Sequence, residues 1–114
     1  SDAIMKAADE GSCVFVGRCA DYVLRERKDV VNVFVSASMD FRIQQIMAKR
    51  KIDHPAARKF IEQHETTRAS FYNYYTGKKW GAAESYDLCI DASVLGIQAT
   101  EMIIAEYVRK RLKL

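Results

Sequence analysis

The chain has 114 residues, of which 49% are hydrophobic and 29% charged, with five glycines and one proline. These proportions describe one globular domain and exclude disorder and low complexity. The net charge is only +3, but between positions 42 and 79 nine basic residues (Arg42, Lys49, Arg50, Lys51, Arg58, Lys59, Arg68, Lys78, Lys79) stand against three acidic ones (Asp53, Glu62, Glu65). A stretch that basic inside an otherwise near-neutral chain suits phosphate or another polyanion.

The longest uncharged run, 30–39, reaches about half of the roughly 20 residues a membrane span needs, and no basic–apolar–small signal pattern opens the chain. A cytoplasmic protein with no membrane partner is expected. Cys13, Cys19 and Cys89 are odd in number and lack C-x-x-C spacing, which argues against a disulfide framework or a zinc site. They are expected to be small buried apolar residues.

Residues 1–10 are good helix formers, with Gly11 as a stop. Ser12-Cys13-Val14-Phe15-Val16-Gly17 is a continuous apolar run of the kind buried on both faces of a parallel sheet. Ala20, Val23 and Leu24 then set helical spacing over 19–27. Val30-Val31-Asn32-Val33-Phe34-Val35 predicts a second buried strand, after which Ser38 caps a helix reaching about Arg50. Asp53-His54-Pro55 opens a further helical stretch that runs through Arg68 to Gly77. A third strand is predicted over 86–91 and a closing helix over 97–112. Strands alternating with helices in this way imply an α/β fold with a parallel sheet, the basic helical stretch being an insertion on it.

In open α/β sheets ligands sit beyond the carboxyl ends of the strands, which here are Gly17-Arg18, Ser36-Ala37-Ser38 and Asp91-Ala92-Ser93. Arg18 can fork onto a phosphate or pair with Asp21; the sequence leaves both open. Arg42, Arg50, Arg58 and Arg68 lie on stretches expected above that edge, although a solvated charged face is the plainer explanation of such a run. His54 and His64 have no partners at metal-ligand spacing, so no metal site is expected. Phe71-Tyr72-Asn73-Tyr74-Tyr75 with Trp80 fits base stacking as well as it fits a packing patch. No Ser/His/Asp or Cys/His arrangement is present.

Three segments together resemble the cytidylate kinase-like family of nucleoside monophosphate kinases. They are Gly17-Arg18-Cys19-Ala20-Asp21-Tyr22, the stretch from Arg68 through Tyr72-Asn73-Tyr74-Tyr75-Thr76-Gly77 to Trp80-Gly81, and Tyr86-Asp87-Leu88-Cys89-Ile90-Asp91-Ala92-Ser93-Val94-Leu95-Gly96-Ile97. The resemblance implies a three-layer α/β, P-loop kinase-like fold, with 1–114 a single partial kinase domain and 40–83 its helical lid-like insertion. It implies transfer of the ATP γ-phosphoryl group, with Mg2+, to CMP or a related nucleoside monophosphate. Arg18, Arg42, Arg50 and Arg68 would then be catalytic. Arg18, Asp21 and Tyr72 would hold the acceptor, and Arg42, Asp91, Ser93 and Leu95 would contact ATP.

The sequence departs from the family in three ways. Cys19 follows the Gly-Arg pair where typical members carry aspartate, the acid here being Asp21. Thr67 and Ser70 stand where the usual lid is richer in arginine. Nothing reads G-x-x-x-x-G-K-[ST], the loop that cradles ATP phosphates, so the chain is expected to be the C-terminal portion of a kinase and inactive by itself. The gap in such a sheet could be filled by a second copy, giving a homodimer. Two other classes remain: a non-catalytic nucleotide- or protein-binding domain on the kinase fold, and a basic-aromatic RNA-binding module, although the resemblance does not lead one to expect nucleic acid as partner.

Overall fold

The computed structural model describes residues 2–14 and 20–114; expectations placed on 15–19, Arg18 and half of the first predicted strand among them, lie outside the described residues. In chain order the elements are α1 (Asp2–Glu10), α2 (Ala20–Val23), β1 (Val33–Ser36), α3 (Met39–Arg50), α4 (His54–Thr76), a 3-10 turn (Ala83–Ser85), β2 (Leu88–Asp91), α5 (Ala92–Leu95) and α6 (Ile97–Leu112).

Local chemistry sets the helix ends. The Ser38 hydroxyl accepts from the Phe41 N–H at 3.2 Å and so opens α3, whose first turn holds Asp40 and whose last holds Lys49 and Arg50, each sign matching the dipole. The Asp53 carboxylate accepts from the Ala56 N–H at 3.0 Å, and proline stands in the first turn of α4. Gly77 ends α4 at φ 68°, with its N–H donating to the Asn73 carbonyl at 3.0 Å. That left-handed turn carries no steric cost in glycine.

Two strands pair in parallel, with Val33 opposite Leu88, Phe34 opposite Cys89, Val35 opposite Ile90 and Ser36 opposite Asp91. Below this register Asn32 and Asp87 clamp the strand starts: the Asn32 N–H donates to the Asp87 carboxylate at 2.7 Å, and the Asp87 N–H donates to the Asn32 carbonyl at 2.8 Å. The architecture is therefore mixed helix and strand with a small two-stranded parallel sheet.

The main hydrophobic cluster lies between α3 and α4, not under the sheet. Ile43 and Ala57 are fully buried and Ile61 nearly so, ringed by Met39, Ile46, Met47, Ile52 and Phe60. On one face of β1, Phe34 is covered by the segment that returns from α4. Gly81 closes that contact at φ 81°, where an added Cβ would meet the Phe34 ring tip at 3.2 Å. On the other face Val35 stays 50% exposed.

Several expectations are corrected here. Residues 12–14 form no strand, and Ser12, Cys13 and Val14 are exposed. The strands predicted over 30–35 and 86–91 shorten to four residues each, and the first of them is not buried on both faces, because two strands leave one face of β1 with little cover. Cys13 and Cys89 are free and exposed, against the burial expected of them; Cys19 lies outside the described residues. The helix predicted over 19–27 is a single turn, Ala20–Val23. No helix of the described residues is long and apolar enough to cross a membrane.

The packing makes Ile43 the side chain that the α3–α4 pair tolerates losing least. Ile43→Ala is expected to lower stability by about 2–5 kcal/mol, the usual range for emptying a fully buried site, read as a shifted denaturation midpoint with unchanged slope.

Candidate functional site

Two groups of polar and aromatic side chains gather near the sheet. The first lies on the covered face of β1. Phe34 meets the Trp80 ring edge-on at 5.2 Å and the Tyr86 ring at 5.0 Å. Asn73 fixes the approach of Trp80 by accepting its backbone N–H at 2.8 Å, and the Gly81 N–H donates to the Tyr86 hydroxyl at 3.3 Å. Arg68, about two turns from the end of α4, places its guanidinium 5.4 Å from the Trp80 ring centre, within cation–π range.

Beside these rings the buried Tyr72 donates its hydroxyl to Asp21 Oδ2 at 2.5 Å, joining α4 to α2 across 51 positions. Burial, reinforced by the hydrogen bond to Asp21, raises the Tyr72 phenol well above the ordinary tyrosine value. Burial is also the main cause that raises Tyr86. Both phenols therefore stay protonated through the neutral range, and Tyr72 remains a donor. One oxygen of Asp21 is committed to Tyr72, and Oδ1 is left to accept from another group.

The second group lies at the carboxyl ends of the strands. Asp91 caps α5: its Oδ1 accepts from the Ser93 N–H at 2.9 Å, and from the Ser93 hydroxyl as well. These two bonds hold the Asp91 carboxyl below the usual carboxylate range, the hydroxyl contributing more. Ser93 Oγ in turn accepts from the Ser38 N–H at 3.2 Å, so the ends of β1 and β2 are stitched together. Leu95 follows, 64% exposed.

Of the arginines, Arg42 lies one turn into α3, with Nη1 3.4 Å from Glu65 Oε1 and a buried Nε that has no hydrogen-bond partner among the described residues. Glu65 is one turn from Arg68 on α4. Arg50 stands apart, two turns further along α3, its guanidinium stacked 4.0 Å over the Phe60 ring. Arg58 pairs with Glu62 at 3.0 Å on the same helix. The structure thus joins Asp21 with Tyr72, gathers Asp91 with Ser93, and leaves Arg50 away from both groups; Arg18 lies outside the described residues. Sequence reasoning missed Tyr86 and Asn73 as parts of the first group. The signal was Tyr86 standing two residues before a strand, where an aromatic can fold back over the neighbouring strand.

Among the described residues no three His, Cys, Asp or Glu side chains gather in a way that could hold a metal ion. What the first group can do is bind a planar, polar, anionic molecule: ring edges and faces for stacking, a carboxylate oxygen to accept, and a guanidinium nearby.

The model of the cytidylate kinase-like family matches residues 1–94. The chain belongs to the cytidylate kinase-like family. A solved structure, described as an uncharacterized protein from Eubacterium ventriosum ATCC 27560, superposes with a TM-score of 0.92 at 25% identity, over 96% of this chain and 62% of that one. The chain thus spans less than two thirds of the length of that structure. No curated protein matches.

The Tyr72–Asp21 bond is open to a direct test. The six tyrosines include two whose phenols are raised. Spectroscopic titration of tyrosinate is expected to show a late phase above pH 10, smaller by one residue in Tyr72→Phe. Because the folded-state value is the higher one, the stability Tyr72 contributes is complete below the unfolded value near pH 10. It is lost as pH rises beyond that, so Tyr72→Phe should flatten the alkaline fall in stability. An unchanged titration curve in the variant would contradict the assignment.

Proposed function

We propose that this chain is the acceptor-binding portion of a nucleoside monophosphate kinase of the P-loop class, with CMP or a related nucleotide as acceptor. The observation that carries the reading is the Tyr72–Asp21 pair beside Trp80, Tyr86 and Arg68, within a chain matched to the family over residues 1–94. Asp21 Oδ1 would accept from an exocyclic amino or ribose hydroxyl group while Tyr72 holds the carboxylate in place. Arg68 and Arg42 would meet phosphate oxygens, and Arg18 would join them. In the reaction an acceptor phosphate oxygen forms a bond to the γ-phosphorus as the bond to the β-phosphate oxygen breaks. The charge spread over the equatorial oxygens is what positioned guanidinium groups stabilise.

Two features limit what these 114 residues do alone. No loop of the form G-x-x-x-x-G-K-[ST] is present to cradle the ATP phosphates. The described residues also do not fit Mg2+: Asp91, the carboxylate at the strand ends, has its Oδ1 bonded to Ser93, and no acidic cluster surrounds it. The same two features favour a second reading, a nucleotide-binding domain that keeps the fold without transfer, and under that reading acceptor binding is still expected.

Calorimetric titration with CMP, UMP, AMP and GMP is expected to show preferential binding of one of them, weakened about tenfold or more in Asp21→Asn and in Arg68→Ala. No phosphoryl transfer from ATP is expected from these residues alone. Failure of all four nucleotides to bind, or wild-type affinity in both variants, would sink the proposal.

A further inference from the structure

Three aromatic side chains near the C-terminal end of α4 project into solvent: Phe71 is 52% exposed, Tyr74 84% and Tyr75 60%. Tyr72 among them is buried. Packing therefore accounts for Tyr72 and leaves the other three rings unexplained. They form one continuous surface, the Phe71 and Tyr75 rings 4.5 Å apart and tilted, the Tyr74 and Tyr75 rings 5.2 Å apart and edge-on.

Along the chain, the charge flanking these rings has one sign. From position 66 to 83 the chain carries Arg68, Lys78 and Lys79 and no acidic residue. Lys78 and Lys79 are exposed, follow directly on the Gly77 turn that closes α4, and make no salt bridge among the described residues. An apolar protein surface would use the rings and leave the lysines unmatched. A simple anion would use the lysines and leave the rings wet. A polynucleotide strand uses both, since every base offers a face to stack and every linkage a charge to neutralise.

We propose that the C-terminal end of α4 is a binding surface for single-stranded nucleic acid, its bases stacking on Phe71, Tyr74 and Tyr75 and its phosphates paired with Lys78 and Lys79. The surface is separate from the Asp21 group and does not rest on the kinase reading. Four helical positions from Phe71 to Tyr75 span about 6 Å, room for two or three bases. Stacking reads no base edge, so little sequence preference follows.

The test is fluorescence anisotropy of a labelled twelve-nucleotide oligo(U) and of its oligo(dT) counterpart, at low and moderate potassium chloride. Saturable binding is expected at low salt. Phe71→Ala/Tyr74→Ala/Tyr75→Ala should weaken it about tenfold or more, and Tyr74→Phe/Tyr75→Phe, which keeps the rings, should retain it. Lys78→Gln/Lys79→Gln should reduce the salt slope by about 1.4, roughly 0.7 for each phosphate contact on a single strand. All five side chains being exposed, circular dichroism and melting should stay unchanged in every variant.

Absence of binding at low salt would overturn the proposal, as would full affinity in the triple alanine variant, which would reduce the contact to unspecific charge. Displacement of the oligonucleotide by excess CMP would place the contact at the Asp21 group and overturn it too. So would a dimer, lost in the triple alanine variant, without oligonucleotide binding, which would give the patch to a second copy.

Discussion

The parallel pairing of β1 with β2 is the constraint from which the rest of the structure follows. Parallel neighbours cannot be joined by a hairpin, so the chain must leave one end of β1 and return to the start of β2 by a long excursion. Residues 37–87 make that excursion, and of the nine basic residues of the central stretch six lie within its helices α3 and α4 and three just after them. The return path ends at Tyr86 and Asp87, which respectively lean on Phe34 and clamp Asn32. The same pairing brings the strand ends together, where Ser93 bridges Asp91 to Ser38.

This route produces two unequal packing centres. The α3–α4 pair closes on itself around Ile43, whereas the sheet carries Phe34 under aromatic cover and leaves Val35 half in water. The Cα radius of gyration, 15.6 Å, exceeds the roughly 13 Å of a compact domain near this length. Surface ion pairs do little to compensate, since Arg58–Glu62 and Arg109–Glu106 lie in solvent, where such pairs contribute about 0–1 kcal/mol. Fixing the side chains near the sheet falls instead to a few specific contacts, with Tyr72–Asp21 the one that ties α4 to α2.

What the sequence disclosed follows the range of the interactions concerned. Ser38, Asp53, Pro55 and Gly77 were readable because a cap or a stop is decided within three or four residues. The strand ends were not, because an apolar run such as 12–17 does not say how many neighbouring strands will cover it. Cys13 and Cys89 failed for the same reason: their apolar character predicts burial only where a covering layer exists. Asp21 and Tyr72 were both marked by resemblance as acceptor contacts, yet their bond to each other, across 51 positions, has no signature in spacing. The Arg42–Glu65 pair was equally hidden, since it depends on how α3 lies against α4.

That last pair bears on how an arginine-bearing helix pair could serve phosphate. Arg42 is held to Glu65 by a 3.4 Å contact between half-exposed groups, while its Nε is buried and unpartnered among the described residues. A partnership of that kind is cheap to exchange, and a buried donor without an acceptor is costly to keep. A phosphate oxygen reaching Nε and one Nη would satisfy the orphan donor and form a charge-assisted bidentate pair in place of a loose single one. Arg50 has no such incentive: its plane already rests on Phe60, and drawing it away would expose both surfaces to water. On physical grounds the arginines of the central stretch are therefore unequal, and Arg42 is better disposed toward an anion than Arg50.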